Sequence, residues 1–235
     1  MNPETPVPPI LERIRREIIP KLQKQFSGVS VDYQGQQKRS NETAAEMQVY
    51  FSLAFLLIVL ILMLHFKSAW QALIILMMIP LAWLGSLWGH GLEGTVVSIL
   101  SAWGMVAVSG VIINDAVVFL AKYNSSLLEG LKVTEAVKKA AISRFRPILL
   151  TTITTTIGLY PLILEKSFQA QFLIPMAISL AYGVFFGTGF ILVLFPSVIL
   201  VLNDIKVWLK YLKTGKKPAP EEVETVIIHS KRKIE

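Results

Sequence analysis

The sequence contains no cysteine and few charged residues. None of its 235 residues is Cys, and 17% are Asp, Glu, Lys or Arg. The absence of cysteine excludes disulfide bonds and thiolate chemistry, although it does not identify the compartment. Common enzyme signatures are also absent: there is no His-Glu-x-x-His, no phosphate-binding Walker loop and no Gly-x-Ser-x-Gly. We therefore expect a protein that is not an enzyme and that has no metal site and no cofactor.

Apolar residues dominate instead. They make up 53% of the chain, which is more than an ordinary soluble domain contains. A spanning helix needs about 20 mostly apolar residues, and two of the five long runs reach that length only with flanking residues. The sequence thus predicts an all-α polytopic membrane bundle of about five transmembrane helices. The five runs are Tyr50–Leu64, Trp70–Gly89, Val96–Ala121, Ile148–Leu164 and Phe172–Leu202.

The basic residues lie mostly on one side of these runs. A net charge of +7 could indicate a nucleic-acid partner, but the lysines and arginines lie in links beside the membrane runs. The link between the third and fourth runs and the segment after the fifth are rich in lysine. The positive-inside rule places both in the cytoplasm and the N-terminal segment outside. We expect contact with the lipid bilayer and no nucleic acid.

The chain divides into three parts by composition. Residues 1–46 are soluble in character, with a helical stripe over Pro8–Phe26 that Pro20 interrupts and a short strand at Val29–Tyr33. One helix and one strand cannot bury a core, so we interpret them as a small α/β remnant of a larger extracytoplasmic domain. Residues 47–205 form the bundle, and residues 206–235 are predicted to be a flexible, basic cytoplasmic tail.

A shorter amphipathic stretch lies within the link between the third and fourth runs. Residues 133–144 place Val133, Ala136, Val137 and Ala140 on one helical face, while Lys138 and Lys139 point elsewhere. This pattern predicts a short interfacial helix on the cytoplasmic side. The alternative is a connecting turn that happens to be periodic.

The third run contains an acidic residue where a membrane helix rarely has one. Asp115 is surrounded by apolar residues, and an ionised aspartate at the centre of a membrane costs about 2.5–3.5 kcal/mol. It shares a helical face with Ser101, Gly104, Val108 and Val111, and the small residues of this stripe suit close packing of another helix. Asn114 points about 100° away and can bond to a neighbour. Asp115 either belongs to a proton or ion path, or stays protonated and bonds to a neighbouring helix.

The fourth run begins with a cation and continues with hydroxyl groups. Arg144, Thr151, Thr155 and Gly158 fall on one helical face and could line a water-filled proton entry. The alternative is equally simple. Threonine in a membrane helix often bonds to the carbonyl four residues earlier, and an arginine near the inner end often fixes topology.

Taken in order, the motifs resemble one transporter family. The sequence contains Gly89-His90, then a run from Gly104 to Asp115 that ends Ile-Ile-Asn-Asp, then Arg144-Phe-Arg-Pro-Ile-Leu-Leu-Thr151. The stretch Gln169–Ala181 follows. Together these residues resemble the C-terminal membrane half of a resistance–nodulation–division (RND) efflux transporter permease, and the resemblance covers nearly the whole chain. The runs would then be the last five spans of twelve.

The resemblance implies a proton-driven exporter of small molecules. The family works as a homotrimer in the Gram-negative inner membrane, bound to a periplasmic adaptor protein and an outer-membrane channel. This chain would add the N-terminal half as a partner, and its residues 1–46 would end a periplasmic porter domain. By position, Asn114 replaces a lysine of the drug-pump branch. The resemblance therefore implies a proton relay of Asp115, Asn114, Arg144 and Thr151, without that lysine.

Two other functions fit the same residues. One is a non-transporting scaffold, a split or degenerate partner subunit of an RND complex. The other is an RND-related exporter of lipid or protein, which would differ in porter residues that this sequence does not include.

Overall fold

A computed structural model describes residues 13–25 and 36–231 of the chain. It divides into two compact units, residues 1–50 and 51–235. Every regular element within the described residues is helical. The predicted strand at Val29–Tyr33 lies outside those residues, so the predicted α/β remnant is not confirmed.

The described part of the first unit is helical. A π-helical turn, Ile14–Ile18, leads directly into helix α1, Ile19–Gln25. The predicted interruption at Pro20 is wrong, since the helix changes pitch just before the proline and continues through it. The proline removes one backbone hydrogen bond from the continuous helix without ending it. Helix α2, Gln36–Phe66, begins in this unit and continues into the second.

The second unit is built from long helices. After α2 come α3 (Ala69–Leu92), α4 (Ile99–Leu128), α5 (Val133–Ile163), the single turn α6 (Phe168–Gln171) and α7 (Ile174–Thr214). A 3₁₀ turn, Pro220–Val223, and helix α8, Thr225–Lys231, follow. Helix α7 is central and packs against α3, α4 and α5.

Small residues allow α7 to approach its neighbours closely. A Cβ atom added at Gly104 of α4 would lie 2.6 Å from the carbonyl oxygen of Met176 on α7. On α7, a Cβ atom at Gly183 would meet Ser86 of α3 and lie 2.7 Å from Val108 Cγ2 of α4. A larger residue at either position would force its neighbours to shift. The predicted close approach of another helix at Gly104 is confirmed.

Among the described residues, four helices are long and apolar enough to cross a membrane. They are Gln48–Phe66, Ala69–Leu92, Ile99–Leu128 and Ile174–Thr214, which match four of the five predicted runs. The predicted run Ile148–Leu164 is helical within α5 but is not among them. Because α5 ends at Ile163, a stretch of span length must include Arg146 and Pro147 as well as five threonines. These residues lower its mean hydropathy, and the predicted count of about five is not confirmed.

Two predictions about the polar segments need correction. Residues 133–144 do not form a short separate helix, because α5 runs unbroken from Val133 to Ile163. Pro147 lies within this helix, where it removes one backbone hydrogen bond without ending the helix.

The predicted flexible tail is also wrong over much of its length. Helix α7 extends to Thr214, and the residues beyond Gly215 fold back as the 3₁₀ turn and α8. Within this segment Val223 and Glu224 are buried. The amide Nδ2 of Asn203 on α7 donates to the carbonyl oxygen of Pro220 at 2.8 Å. Burial and side-chain hydrogen bonds thus outweigh the Lys-, Pro- and Glu-rich composition that favoured a flexible tail.

Candidate functional site: a buried carboxylate in a membrane-length helix

Helix α4 positions the acidic residue on which the sequence analysis concentrates. The helix begins at a capping box, in which the side chain of Ser98 accepts from the Ser101 N–H at 3.3 Å and the Ser98 N–H donates to Ser101 Oγ at 3.0 Å. Ser101 is fully buried. This cap fixes where the helix starts and therefore which residues face α7 along its length.

Asp115 lies past the midpoint of α4, at the edge of the packed interior. Its neighbours Ile112, Ala116 and Phe119 are fully buried, while Asp115 itself is half-buried. Its Oδ2 atom is buried and has no hydrogen-bond partner among the described residues. A buried carboxylate oxygen in that condition is costly, because desolvation is not offset by any donor. Such a group can be stable as a neutral carboxylic acid or with a partner from outside the described residues.

The structure does not join Asp115 to the other predicted relay residues. No hydrogen bond or ion pair within the described chain connects it to Asn114, Arg144 or Thr151. Asn114 is exposed, on a face turned away from the packed interior. Helices α4 and α5 do pack together, so Asp115 and Arg144 belong to neighbouring helices.

Arg144 and Thr151 differ in how well their polar atoms are satisfied. The Nε atom of Arg144 is buried and has no hydrogen-bond partner among the described residues. Thr151 is exposed, and its hydroxyl donates to the carbonyl oxygen of Ile148 at 2.9 Å. Thr151 therefore follows the alternative given above, in which a threonine hydroxyl bonds to a carbonyl oxygen of its own helix. Arg144 and Asp115 thus each have a buried polar side-chain atom without a hydrogen-bond partner among the described residues.

A hydroxyl pair that the sequence analysis missed lies one residue further along α5. The hydroxyls of Thr152 and Thr188 are 2.6 Å apart and link α5 to α7, and both residues are buried. Thr152 also donates to the Ile148 carbonyl oxygen at 2.9 Å. The apolar residues on the face of α5 that meets α7 could have revealed this pair, because Thr152 follows buried Ile148 by four positions.

A second polar cluster lies at the C-terminal end of α3. The two ring nitrogens of His90 lie 2.9 Å from Thr95 Oγ1 and 2.9 Å from Ser179 Oγ, and the ring is buried. Ser86 of α3 donates to the carbonyl oxygen of Ser179 at 2.8 Å. Because both His90 nitrogens are used, this residue holds α3 against α7 and has no free nitrogen for a ligand. The described residues contain no group of three or more His, Asp or Glu side chains able to hold a metal ion.

Comparison with known proteins identifies a similar metal resistance protein and a similar motility protein. The chain is 26% identical over 170 residues to the cobalt-zinc-cadmium resistance protein CzcA of Cupriavidus metallidurans, an alignment covering 72% of this chain and 16% of that protein. It is 29% identical over 194 residues to the swarming motility protein SwrC of Bacillus subtilis, covering 83% of this chain and 18% of the relative. The chain therefore spans less than a fifth of the length of these relatives.

A solved structure supports the same relationship. The fold matches the crystal structure of a heavy metal efflux pump with a TM-score of 0.71 and 28% identity, covering 86% of this chain and 20% of that one. The model of the AcrB/AcrD/AcrF family matches residues 14–203. This match takes in the spans, the capped helix that carries Asp115, and Arg144 and Thr151. The chain belongs to the AcrB/AcrD/AcrF family of RND transporter permeases.

Proposed function

We propose that this chain is part of a proton-driven RND exporter in which Asp115 takes up and releases the transported proton. One observation carries the proposal: Asp115 Oδ2 is buried in a membrane-length helix and has no hydrogen-bond partner in the described chain. Evolution rarely retains an intramembrane carboxylate in that state without use, because an ionised aspartate there costs about 2.5–3.5 kcal/mol. A proton removes that cost, and its departure restores it.

The energetic difference between the two protonation states provides the coupling. The neutral acid can remain at the edge of the packed interior, whereas the carboxylate attracts a cation or water. Helix packing around Asp115 therefore depends on its charge, which is how a proton can bias one arrangement of helices over another. The partner that accepts the charged state would lie on the rest of the transporter.

The other three proposed relay residues differ in how strongly their contacts support a role. Arg144 supplies the cation on the neighbouring helix, since its buried Nε has no acceptor in the described chain. Asn114 is exposed beside Asp115 and presents its amide to the rest of the transporter. Thr151 has the weakest support, because its hydroxyl is already satisfied by Ile148. In this proposal Thr151 joins the relay only by giving up that bond to a water molecule.

The membrane arrangement follows from the same reasoning. Helix α5 crosses the membrane as a fifth span, because Thr151, Thr152 and Thr154 bond to carbonyl oxygens of their own helix and Thr152 also bonds to α7, which lowers the cost of placing these hydroxyls in lipid. The protein resides in a Gram-negative inner membrane with residues 1–46 periplasmic and the C-terminus cytoplasmic. It works with the N-terminal half of the transporter as a homotrimer, with a periplasmic adaptor and an outer-membrane channel. Small molecules are its substrates.

The test replaces Asp115 by Asn in the full-length transporter. Asp115→Asn keeps the shape of the side chain and removes its titration, so we expect proton-coupled export from inverted vesicles to be abolished. Asp204→Asn is the matched control, because Asp204 is an exposed aspartate on α7, and it should export normally. Normal export by Asp115→Asn at equal expression would refute the proton role. A wild-type assembly without any export would instead support the scaffold alternative.

A further inference from the structure

A basic cavity lies at the end of the bundle where α2, α4 and α8 meet. Its volume is about 470 Å³. The polar lining is His65 and Lys67 from the end of α2, Asn124 and Ser125 from α4, and His229 and Ser230 from α8. None of the described residues that line it is acidic, and the carboxylate of Glu129 bonds to the lining residue Ser125. Such a cavity favours an anion, because a lysine and other hydrogen-bond donors converge in it.

The C-terminal segment builds one wall of this cavity. The carboxylate of Glu224 accepts from Asn203 Nδ2 at 2.7 Å and from Lys206 Nζ at 3.1 Å, which fixes the start of α8 against α7. Thr225 donates to Ser68 Oγ at 3.0 Å. This second bond places α8 beside the junction of α2 and α3. His229 is thereby brought to the same cavity as Lys67, although they are separated by more than half of the chain.

The chain bends sharply at the cavity's cationic residue. Lys67 has a φ of +50°, an uncommon conformation for a residue other than glycine, and its side chain is exposed. It stands between the end of a membrane-length helix at Phe66 and the start of the next at Ala69. The cavity therefore opens at the level where a bilayer's headgroups would lie.

Several donors in the cavity are available. Asn124 is not among them, because its amide exchanges two hydrogen bonds with Gln71, at 2.9 and 3.0 Å. Ser125 donates to Glu129 at 3.3 Å. The donors that remain are the Lys67 ammonium, the imidazoles of His65 and His229 and the Ser230 hydroxyl. A lysine, two imidazoles and a hydroxyl around one cavity match the donor set that binds phosphate oxygens.

We propose that this cavity binds a phosphate group, either that of an anionic phospholipid headgroup or a soluble phosphate. The proposal is independent of the proton role of Asp115, because the cavity uses none of the relay residues. It assigns to α8 the role of completing a ligand site.

The test measures phospholipid binding to the full-length transporter by native mass spectrometry, with phosphatidylglycerol as the probe. Loss of one or two charge-assisted bonds in Lys67→Gln and His229→Gln should raise the Kd at least about tenfold. Lys166→Gln is the matched control, because Lys166 is an exposed lysine in the loop after α5, and its Kd should be unchanged. Lys67→Arg keeps the charge and should retain binding.

Two further arms identify the source of the phosphate and protect the result against misfolding. Inorganic phosphate that competes with the lipid indicates a soluble ligand in the same cavity, whereas lipid binding without competition indicates the headgroup. Size-exclusion elution and export activity of Lys67→Gln should match the wild type. An unchanged Kd in Lys67→Gln and His229→Gln, or an equal loss in Lys166→Gln, would overturn the proposal.

Discussion

Among the described residues, the Glu224 carboxylate and one oxygen of the Asp115 carboxylate are buried, and the structure treats them in opposite ways. Glu224 is 2% exposed, and both its oxygens accept hydrogen bonds from Asn203 or Lys206. Asp115 has a buried oxygen with no partner in the described residues. A buried charge with several donors is a fixed structural element, whereas a buried acid without donors can change its charge at a smaller structural cost. The difference separates a residue that holds the fold from one that is free to titrate.

The largest effect should come from breaking the Glu224 cluster. Lys206→Ala leaves the Glu224 carboxylate buried with Asn203 as its remaining donor, which should destabilise the docked segment by about 3 kcal/mol. Hydrogen exchange over residues 220–231 in the full-length protein should then become about a hundredfold faster. Lys210→Ala is the control, because exposed Lys210 makes one bond of 3.3 Å to the Glu222 carbonyl oxygen. Equal exchange in the two variants would show that Glu224 does not hold the segment.

A double replacement sharpens the same point. Lys206→Met with Glu224→Gln removes both charges and keeps their volume, so it should be less destabilising than Lys206→Ala alone. If exchange in the double variant is as fast as in Lys206→Ala, burial of an unpaired charge is not the cause.

Replacing Asp115 should cost export and little stability, whereas replacing Lys206 should cost stability. Asp115→Asn removes no bond within the described chain, so the free energy of unfolding should change by less than about 1 kcal/mol while export is lost. Denaturant unfolding of the full-length protein in micelles measures the first quantity. A loss as large as that of Lys206→Ala would mean that Asp115 holds the fold as firmly as Glu224 does, and the contrast between the two carboxylates would fail.

An uncharged pair gives a smaller effect. Thr152→Val removes the interhelical bond to Thr188, and such bonds in membranes are worth about 0.6 kcal/mol. The same unfolding measurement should detect this loss. Thr154→Val is the control, because the Thr154 hydroxyl bonds to carbonyl oxygens of its own helix, Leu150 and Thr151, and is exposed. We expect no measurable change there, and an equal loss in both would assign the effect to helix propensity.

Much of the membrane bundle was predictable because its signal is local. Four spans follow from runs of apolar residues, and the close approach of α7 at Gly104 follows from the small residue there. The span predicted at Ile148–Leu164 is not among the membrane-length helices, because its threonines and Arg146 lower its hydropathy. Whether a threonine bonds to its own helix, as Thr151 does, or to the next, as Thr152 does, depends on tertiary packing that composition does not encode.

The C-terminal segment shows where sequence reasoning failed. Its lysines and prolines are typical of a flexible tail, and the prediction missed that Glu224 pairs with residues 18 and 21 positions earlier. Pairing of that kind depends on Gly215, whose φ of +68° ends α7 and reverses the chain. A single glycine after a helix indicates that the helix ends, but not where the following residues bind. The charge state of Asp115 raises a similar difficulty, because residues on the rest of the transporter determine it.

The smallest effect on stability should come from the exposed ion pair of Lys139 and Glu129, a third carboxylate to set beside Glu224 and Asp115. Lys139 donates to Glu129 at 2.6 Å, and this hydrogen bond lowers the pKa of the Glu129 carboxyl below its usual range, with Lys122 adding to the effect. Because the pKa of Glu129 is lower in the folded state, its ionised form stabilises the fold at pH values above the usual glutamate pKa. This stabilisation is lost as the pH falls through the folded-state pKa. Lys139→Ala should raise the pKa of Glu129 toward the usual value, which NMR titration of the carboxyl can follow, while unfolding stability above pH 5 changes little because water screens the pair. A large loss of stability would show that exposure does not separate this carboxylate from Glu224.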